Sequence, residues 1–239
     1  YTTGIADDTV RRLARIEAPV HDYHQRGLVA FVATEAPHRD ACWQRFLPTG
    51  PVALLPFNDD GDAQLHGHLG SIVWTLPETE AQRLLDAPQA QFERELSAAF
   101  GGELGGFTLQ SQRAAFPLRR QLAQRQVEGR VLLVGDAAHV MHPLAGQGVN
   151  HGLRDVSALR AMLRDAQAKG GDIASPARLA RWARARRSDN ALGAHAFGAI
   201  NRVFSNDALL PTLLRGHALG LAGRMPPLLR ALWRHAAGR

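Results

Sequence analysis

The chain has little cysteine and few aromatics, and each shortage removes a class of explanation. With one cysteine in 239 residues, Cys42, no internal disulfide framework is available. A lone thiol fits a reducing compartment, and a cytoplasmic location is expected. No run of about 18 apolar residues is free of charge, so no membrane-spanning helix is expected. Tyr1 to Val10 has no basic segment followed by an apolar one, so it does not read as a signal peptide. Aromatics are 6% of the chain, and none form a stacking platform among the arginines. With no nucleic-acid motif beside them, a nucleic-acid partner is not expected.

What is present is globular: 45% hydrophobic and 21% charged, with no glycine period and no low-complexity linker. Net charge is +6, but it is unevenly placed. From Pro176 to Arg239 eleven arginines face only Asp189 and Asp207, so this last quarter carries +9 and the remainder −3. A basic tail suits phospholipid, nucleic acid or an acidic partner, and it suits an ordinary solvated helix face, which is the commonest case.

Residues 8–16 read as a short helix ended by Pro19. Leu28–Thr34, Trp43–Leu47, Val52–Phe57 and His66–Leu76 then read as consecutive antiparallel strands, separated by turn clusters at Pro48–Pro51 and Asn58–Asp62. Pro77–Glu80 opens a helical segment with Leu84, Leu85, Phe92, Leu96 and Phe100 at helical spacing and Pro88 as a break. Phe107–Phe116 returns to the sheet as one strand.

Val131–Val134 is a short, wholly apolar run, the pattern of a strand buried on both faces in a parallel sheet. A helix begins near Asn150, its apolar stripe running through Leu153, Val156, Leu159, Met162, Leu163 and Ala166. The fold class is mixed, α+β with α/β elements. Residues 28–118 are read as an antiparallel sheet layer with a helix laid against one face, 119–172 as a strand, loop and helix that contact a ligand, and 173–239 as basic helices.

The chemistry concentrates in Val131–Asp155. Asp136 follows the carboxyl end of its strand, where open sheets place ligands. Gly146 and Gly148 allow close backbone approach to a flat ligand, and the helix start offers unpaired N–H groups and a positive dipole end. The arrangement suits a ligand with hydroxyls for the carboxylate and a carbonyl or developing anion for the helix. A dinucleotide turn is excluded at Gly146–Gly152, because eleven residues separate it from the strand and the glycine spacing is wrong. Asp136, His139 and His142 are spaced by threes, but Pro143 argues against a regular ligating face, so no metal is expected. His66 and His68 read as two imidazoles on a solvated strand edge. No nucleophile has an elbow or triad context, and no single catalytic side chain is assigned.

Gly135-Asp136-Ala137-Ala138-His139, His142-Pro143-Leu144-Ala145-Gly146-Gln147-Gly148-Val149-Asn150, Gly152 and Asp155 together resemble the second FAD-binding motif of the class A flavoprotein aromatic hydroxylases. Within that class, Trp43–Pro51, Ser111-Gln112-Arg113 and Phe116-Pro117-Leu118 resemble the ubiquinone-biosynthesis hydroxylases. The resemblance implies an FAD-dependent monooxygenase that hydroxylates a polyprenylated phenol, with NAD(P)H as reductant and O2 as the oxygen source. It implies that Asp136 hydrogen-bonds the ribityl chain and that Pro143 lies against the isoalloxazine. It also implies that Gly135, Ala145, Gly146, Gln147, Gly148, Val149 and Asn150 line the flavin, with the helix start facing its pyrimidine end. The substrate would lie between the sheet of residues 28–118 and the flavin edge.

The family's opening βαβ unit, with its G-x-G-x-x-G turn, has no counterpart here. When its Val-Arg is set on Val10-Arg11, its Asp-Gly falls on Gly4-Ile5. Residues 1–7 are therefore read as foreign, residues 1–27 as the remnant of an FAD-domain connection, and the chain as a truncated C-terminal portion. An alternative stays open: a non-catalytic fragment or accessory subunit that binds lipid-like substrate, membrane or partner but no FAD by itself. Residues 209–239 carry apolar stripes flanked by Arg215, Arg224, Arg230 and Arg234, which suits a peripheral membrane or complex contact, or plain packing on the body.

Overall fold

A computed structural model describes residues 9–57, 65–140 and 148–187. In chain order these form α1 (Thr9–Leu13), β1 (Val20–Thr34), β2 (Trp43–Leu47), β3 (Gly50–Pro56), β4 (Leu69–Pro77), α2 (Glu78–Asp86), α3 (Gln89–Phe100), β5 (Phe107–Leu109) and β6 (Ala114–Leu122). They continue through β7 (Val127–Glu128), β8 (Val131–Leu132), a 3-10 turn (Gly135–Ala137), β9 (His139–Val140) and α4 (Gly148–Ala168). A further helix, α5, runs over residues 176–187. The described residues divide into two units, 24–57 with 65–118, and 9–23 with 119–140 and 148–187.

The first unit is an antiparallel sheet in the order β2-β3-β4-β1-β6, with β5 also paired to β1. Register follows from which face each side chain must reach. Leu28 and Ala30 stand opposite Trp74 and Ile72, and these oppose Val52 and Leu54 on β3, so one face is continuously apolar. Helices α2 and α3 cover that face with Ala81, Leu84, Phe92, Leu96, Ala99 and Phe100, all in one buried cluster with the strand residues. Each large side chain buried here stabilises the unit by about 1.5–3 kcal/mol. Pro88 divides the two helices as its missing N–H requires. Arg113 locks their junction, donating to Leu84 O at 2.6 Å and to Ala87 O at 2.7 Å while its guanidinium lies 5.1 Å over the Phe92 ring.

Several elements differ from the sequence reading. Phe107–Phe116 is two strands, because the chain leaves the ladder between them and Ser111 Oγ accepts the Phe31 N–H at 2.8 Å in place of a backbone partner. The strand read from His66 starts at Leu69, so His66 and His68 sit in the preceding turn and not on a strand face. His68 Nδ1 there donates to Thr34 O at 2.6 Å, fastening the turn to β1. Strand β1 extends back to Val20, well before the apolar run that announced it. Cys42 is exposed.

In the second unit, Val131–Val134 is not the buried centre of a parallel sheet. Only Val131 and Leu132 are in strand, paired antiparallel with Val127 and Glu128, and Val131 is exposed. Among the described residues its apolar core is divided: Ile16, Leu133, Ala137 and Ala138 cluster with Val10, Ala14 and Ala123 against them, and Ala166, Leu179, Trp182 and Ala183 are buried on α4 and α5. The end of β6 pairs with β9, Gln121 opposite Val140 and Leu122 opposite His139. On α4 the inward residues are His151, Asp155 and Ala166, whereas Leu153 and Val156 from the expected stripe are exposed. Among the described residues no helix is long and apolar enough to cross a membrane.

Candidate functional site

The site is built where β8 gives way to the 3-10 turn. Leu133 anchors the approach, buried and bonded through its N–H to Gln126 O at 2.8 Å. Val134 is still extended, and Gly135 then takes φ 59°, a left-handed conformation that strains any residue with a side chain. Gly152 of α4 lies directly on it: a Cβ added to Gly152 would come within 3.2 Å of Gly135 Cα. Two glycines thus let a helix backbone rest on a turn. The turn closes through Ala138 N–H to Gly135 O at 2.8 Å, which leaves the Gly135 N–H without a partner inside the turn.

Asp155 supplies that partner. Its Oδ2 accepts the Gly135 N–H at 3.0 Å and the His139 Nε2–H at 2.7 Å, while Oδ1 accepts Arg186 Nε at 2.8 Å. Asp155 is fully buried, and His139 and Arg186 nearly so. Burial alone would favour the neutral acid, but the bonds from His139 and Arg186, the His139 charge interaction and the Gly135 amide outweigh it and hold the carboxyl below its ordinary value. His151, one helical turn before Asp155, meets the His139 ring edge-on at 6.1 Å between centroids. From the other side, the buried Arg11 donates to Ala137 O at 3.3 Å.

Beneath this support, the residue that faces outward is Asp136. It is exposed, and no described residue bonds its carboxylate. The expected flavin contacts are therefore placed as follows. Gly135 is buried against α4, Asp136 is presented to solvent on the turn, and Gly148, Val149 and Asn150 are exposed on the first turn of α4. Pro143, Ala145, Gly146 and Gln147 lie outside the described residues, as does His142. Among the described residues no group of three or more His, Cys, Asp or Glu could hold a metal ion, and His139 is bound through Nε2 to Asp155.

The structural roles of Asp155, His151, Arg11 and Arg186 are not assigned by the sequence reading. His151 and Asp155 carried a signal that could have been used: two polar residues at i and i+4 on a helix mark a polar stripe with something to bind. Arg186 carried none, since it lies 31 residues beyond its partner.

The model of the FAD binding domain family matches residues 9–189. The chain belongs to that family. It is 41% identical over 229 residues to the ubiquinone hydroxylase UbiL of Rhodospirillum rubrum, covering 96% of this chain and 52% of that protein. It is 35% identical over 233 residues to the 3-demethoxyubiquinol 3-hydroxylase of Escherichia coli, covering 98% of this chain and 57% of the relative. The chain therefore spans about half the length of the curated relatives it matches. Among solved structures, p-nitrophenol 4-monooxygenase PnpA from Pseudomonas putida DLL-E4 superposes with a TM-score of 0.70 at 19% identity, over 97% of this chain and 56% of that one, a likeness of fold.

The site's chemistry fits a flavin. An outward carboxylate accepts from the hydroxyls of a sugar alcohol chain, and the start of α4 offers N–H groups and a positive dipole end to carbonyl oxygens.

Proposed function

We propose that this chain forms the flavin-contacting and substrate-facing part of an FAD-dependent monooxygenase that hydroxylates a polyprenylated phenol in ubiquinone biosynthesis, using NAD(P)H and O2. The observation that carries it is Asp136, an outward carboxylate with no described partner, on a rigidly supported turn in a chain of the FAD binding domain family. The printed names of the two curated relatives support the substrate class. FAD, when bound, would supply the redox and oxygen-transfer chemistry. Asp136 would then hold the ribityl hydroxyls, and the N–H groups of Gly148, Val149 and Asn150 would meet the pyrimidine edge.

The sheet face that α2 and α3 do not cover suits such a substrate. Phe31, Leu55 and Phe46 are exposed on it, and Phe57 meets Phe31 edge-on at 5.3 Å between centroids. Exposed aromatic and branched side chains in this number suit a phenolic ring and an isoprenoid tail, which exclude water from the reacting carbon on binding. A cytoplasmic protein that meets its lipid substrate at the inner membrane through residues 209–239 is part of the proposal. Those residues lie outside the described ones. Liposome flotation of the chain with and without them tests this part; equal binding removes it.

One observation favours a second reading. Val149, Leu153 and Val156 leave an apolar stripe exposed along the start of α4, which would suit further polypeptide laid on that helix to complete the flavin site. The chain alone would then be an accessory piece. Purification decides between the readings: stoichiometric flavin absorbance in the isolated chain supports an autonomous flavoprotein. A colourless chain that also fails to bind added FAD overturns that autonomy.

A further inference from the structure

We propose that Asp155 is the positioning residue of the flavin-facing turn, acting through the Gly135 amide to fix where the Asp136 carboxylate points. The proposal rests on the reading of Asp136 as a flavin contact. Three donors from three different elements converge on this one side chain: the Gly135 N–H of the turn, the His139 Nε2–H of β9 and the Arg186 Nε of α5. Both carboxylate oxygens are occupied, and none of the groups is accessible to solvent to any useful degree.

The energetics explain why such a network is better suited to fixing geometry than to adding stability. An ion pair taken fully out of water gains little over apolar residues of the same volume, because desolvation offsets the attraction. What apolar packing cannot do is hold a single backbone N–H at one distance and direction. Gly135 needs such a restraint, since a glycine has the widest conformational choice of any residue and this one closes a turn of only three residues. Asp136 is the next residue, so a rotation at Gly135 is transmitted to its carboxylate across one peptide unit. A displacement of about 1 Å there is enough to lose a hydrogen bond to a ligand hydroxyl.

The contact between Gly152 and Gly135 brings the Asp155 carboxylate within reach, and His139 and Arg186 keep it from rotating away. His139 and Arg186, both buried, thereby share in the positioning.

The test uses the full chain and four variants: Asp155→Asn, His139→Phe, His139→Gln and Arg186→Lys. Flavin fluorescence gives the FAD dissociation constant, amide hydrogen exchange in the flavin-free protein reports on Gly135, and circular dichroism confirms folding. Asp155→Asn puts an NH2 group where donors converge, and it is expected to speed exchange at Gly135 and to weaken FAD binding about ten-fold or more. His139→Phe is expected to do the same in smaller measure. His139→Gln, whose amide nitrogen restores a donor near the Nε2 position, is expected to recover most of the affinity, which a bare loss of packing would not allow. Arg186→Lys, which keeps the charge on a narrower head, is expected to retain only part of the exchange protection.

If Asp155→Asn does not fold, the His139→Phe and His139→Gln pair makes the same comparison. Folded variants that bind FAD as tightly as the parent overturn the positioning role and leave the flavin reading intact. If the parent chain binds no FAD, its autonomy as a flavoprotein falls and exchange at Gly135 decides the positioning role alone: folded variants that exchange as slowly as the parent overturn it.

Discussion

The two units hold themselves together by different means. In residues 24–118, sixteen buried hydrophobic residues from a sheet, two helices and the turn after α3 pack into one cluster, and no described Arg, Lys, Asp or Glu of the unit is fully buried. In the other unit the described buried hydrophobic residues fall into smaller groups, Ile16 with Leu133, Ala137 and Ala138 in one and Ala166, Leu179, Trp182 and Ala183 on α4 and α5. The charged Asp155 and Arg186 are buried there as well, with His139 between Asp155 and the turn. Apolar packing is non-directional and tolerates small shifts, whereas a carboxylate with three donors accepts one arrangement. The difference matches the work proposed for each. A layer that receives a greasy ring needs a firm floor, while a turn that presents one carboxylate needs a fixed angle.

The contrast is broken most heavily at Phe92. Phe92→Ala removes a fully buried ring and the platform under Arg113, and it should cost about 3–5 kcal/mol in chemical denaturation. It should leave amide exchange at Gly135 unchanged. A smaller effect, about 3 kcal/mol near neutral pH, is expected for Asp155→Asn, and its pH dependence sharpens the comparison. Asp155 has a folded pKa below its ordinary 3.8, so its contribution is complete above about pH 4 and is lost as pH falls through the folded value. The stability gap between parent and Asp155→Asn should therefore close under acid, whereas the gap for Phe92→Ala should persist.

The smallest effect belongs to Arg83, which bridges Glu80 and Glu95 on the surface and lowers both carboxyl pKa values. Despite that visible pairing, Arg83→Ala should cost less than about 1 kcal/mol, because all three groups are a third or more exposed to water. Thermal melts at low and high salt check this.

Legibility in the sequence followed the same division. The helix-covered sheet was readable because its signals are local: turn residues at Pro48–Pro51, a proline break at Pro88 and apolar spacing through Phe92, Leu96 and Phe100. The break within Phe107–Phe116 was missed, since it depends on Ser111 reaching a strand 80 residues away. In the other unit, Val131–Val134 has the composition of a central strand, but composition says nothing of which neighbours are present. Only β7 pairs with it among the described residues. The motif containing Asp136 was legible as a sharp turn carrying an acid, but that acid read as buried-side, and it is exposed. The support of the turn was not legible, because Leu153 and Val156 satisfy the helical period while His151 and Asp155 take the buried face. Arg186 enters from a separate helix and is visible only in three dimensions.

The exposed Cys42 has a practical consequence for all of these measurements. As the single thiol of the chain, it takes a maleimide dye at one known place without any cysteine being engineered away. It stands at the entry to β2, immediately before Trp43, whose indole donates to His38 O at 3.1 Å. A label there reports on the sheet unit and leaves the Asp155 network chemically untouched, so unfolding of the two units can be followed separately in one sample.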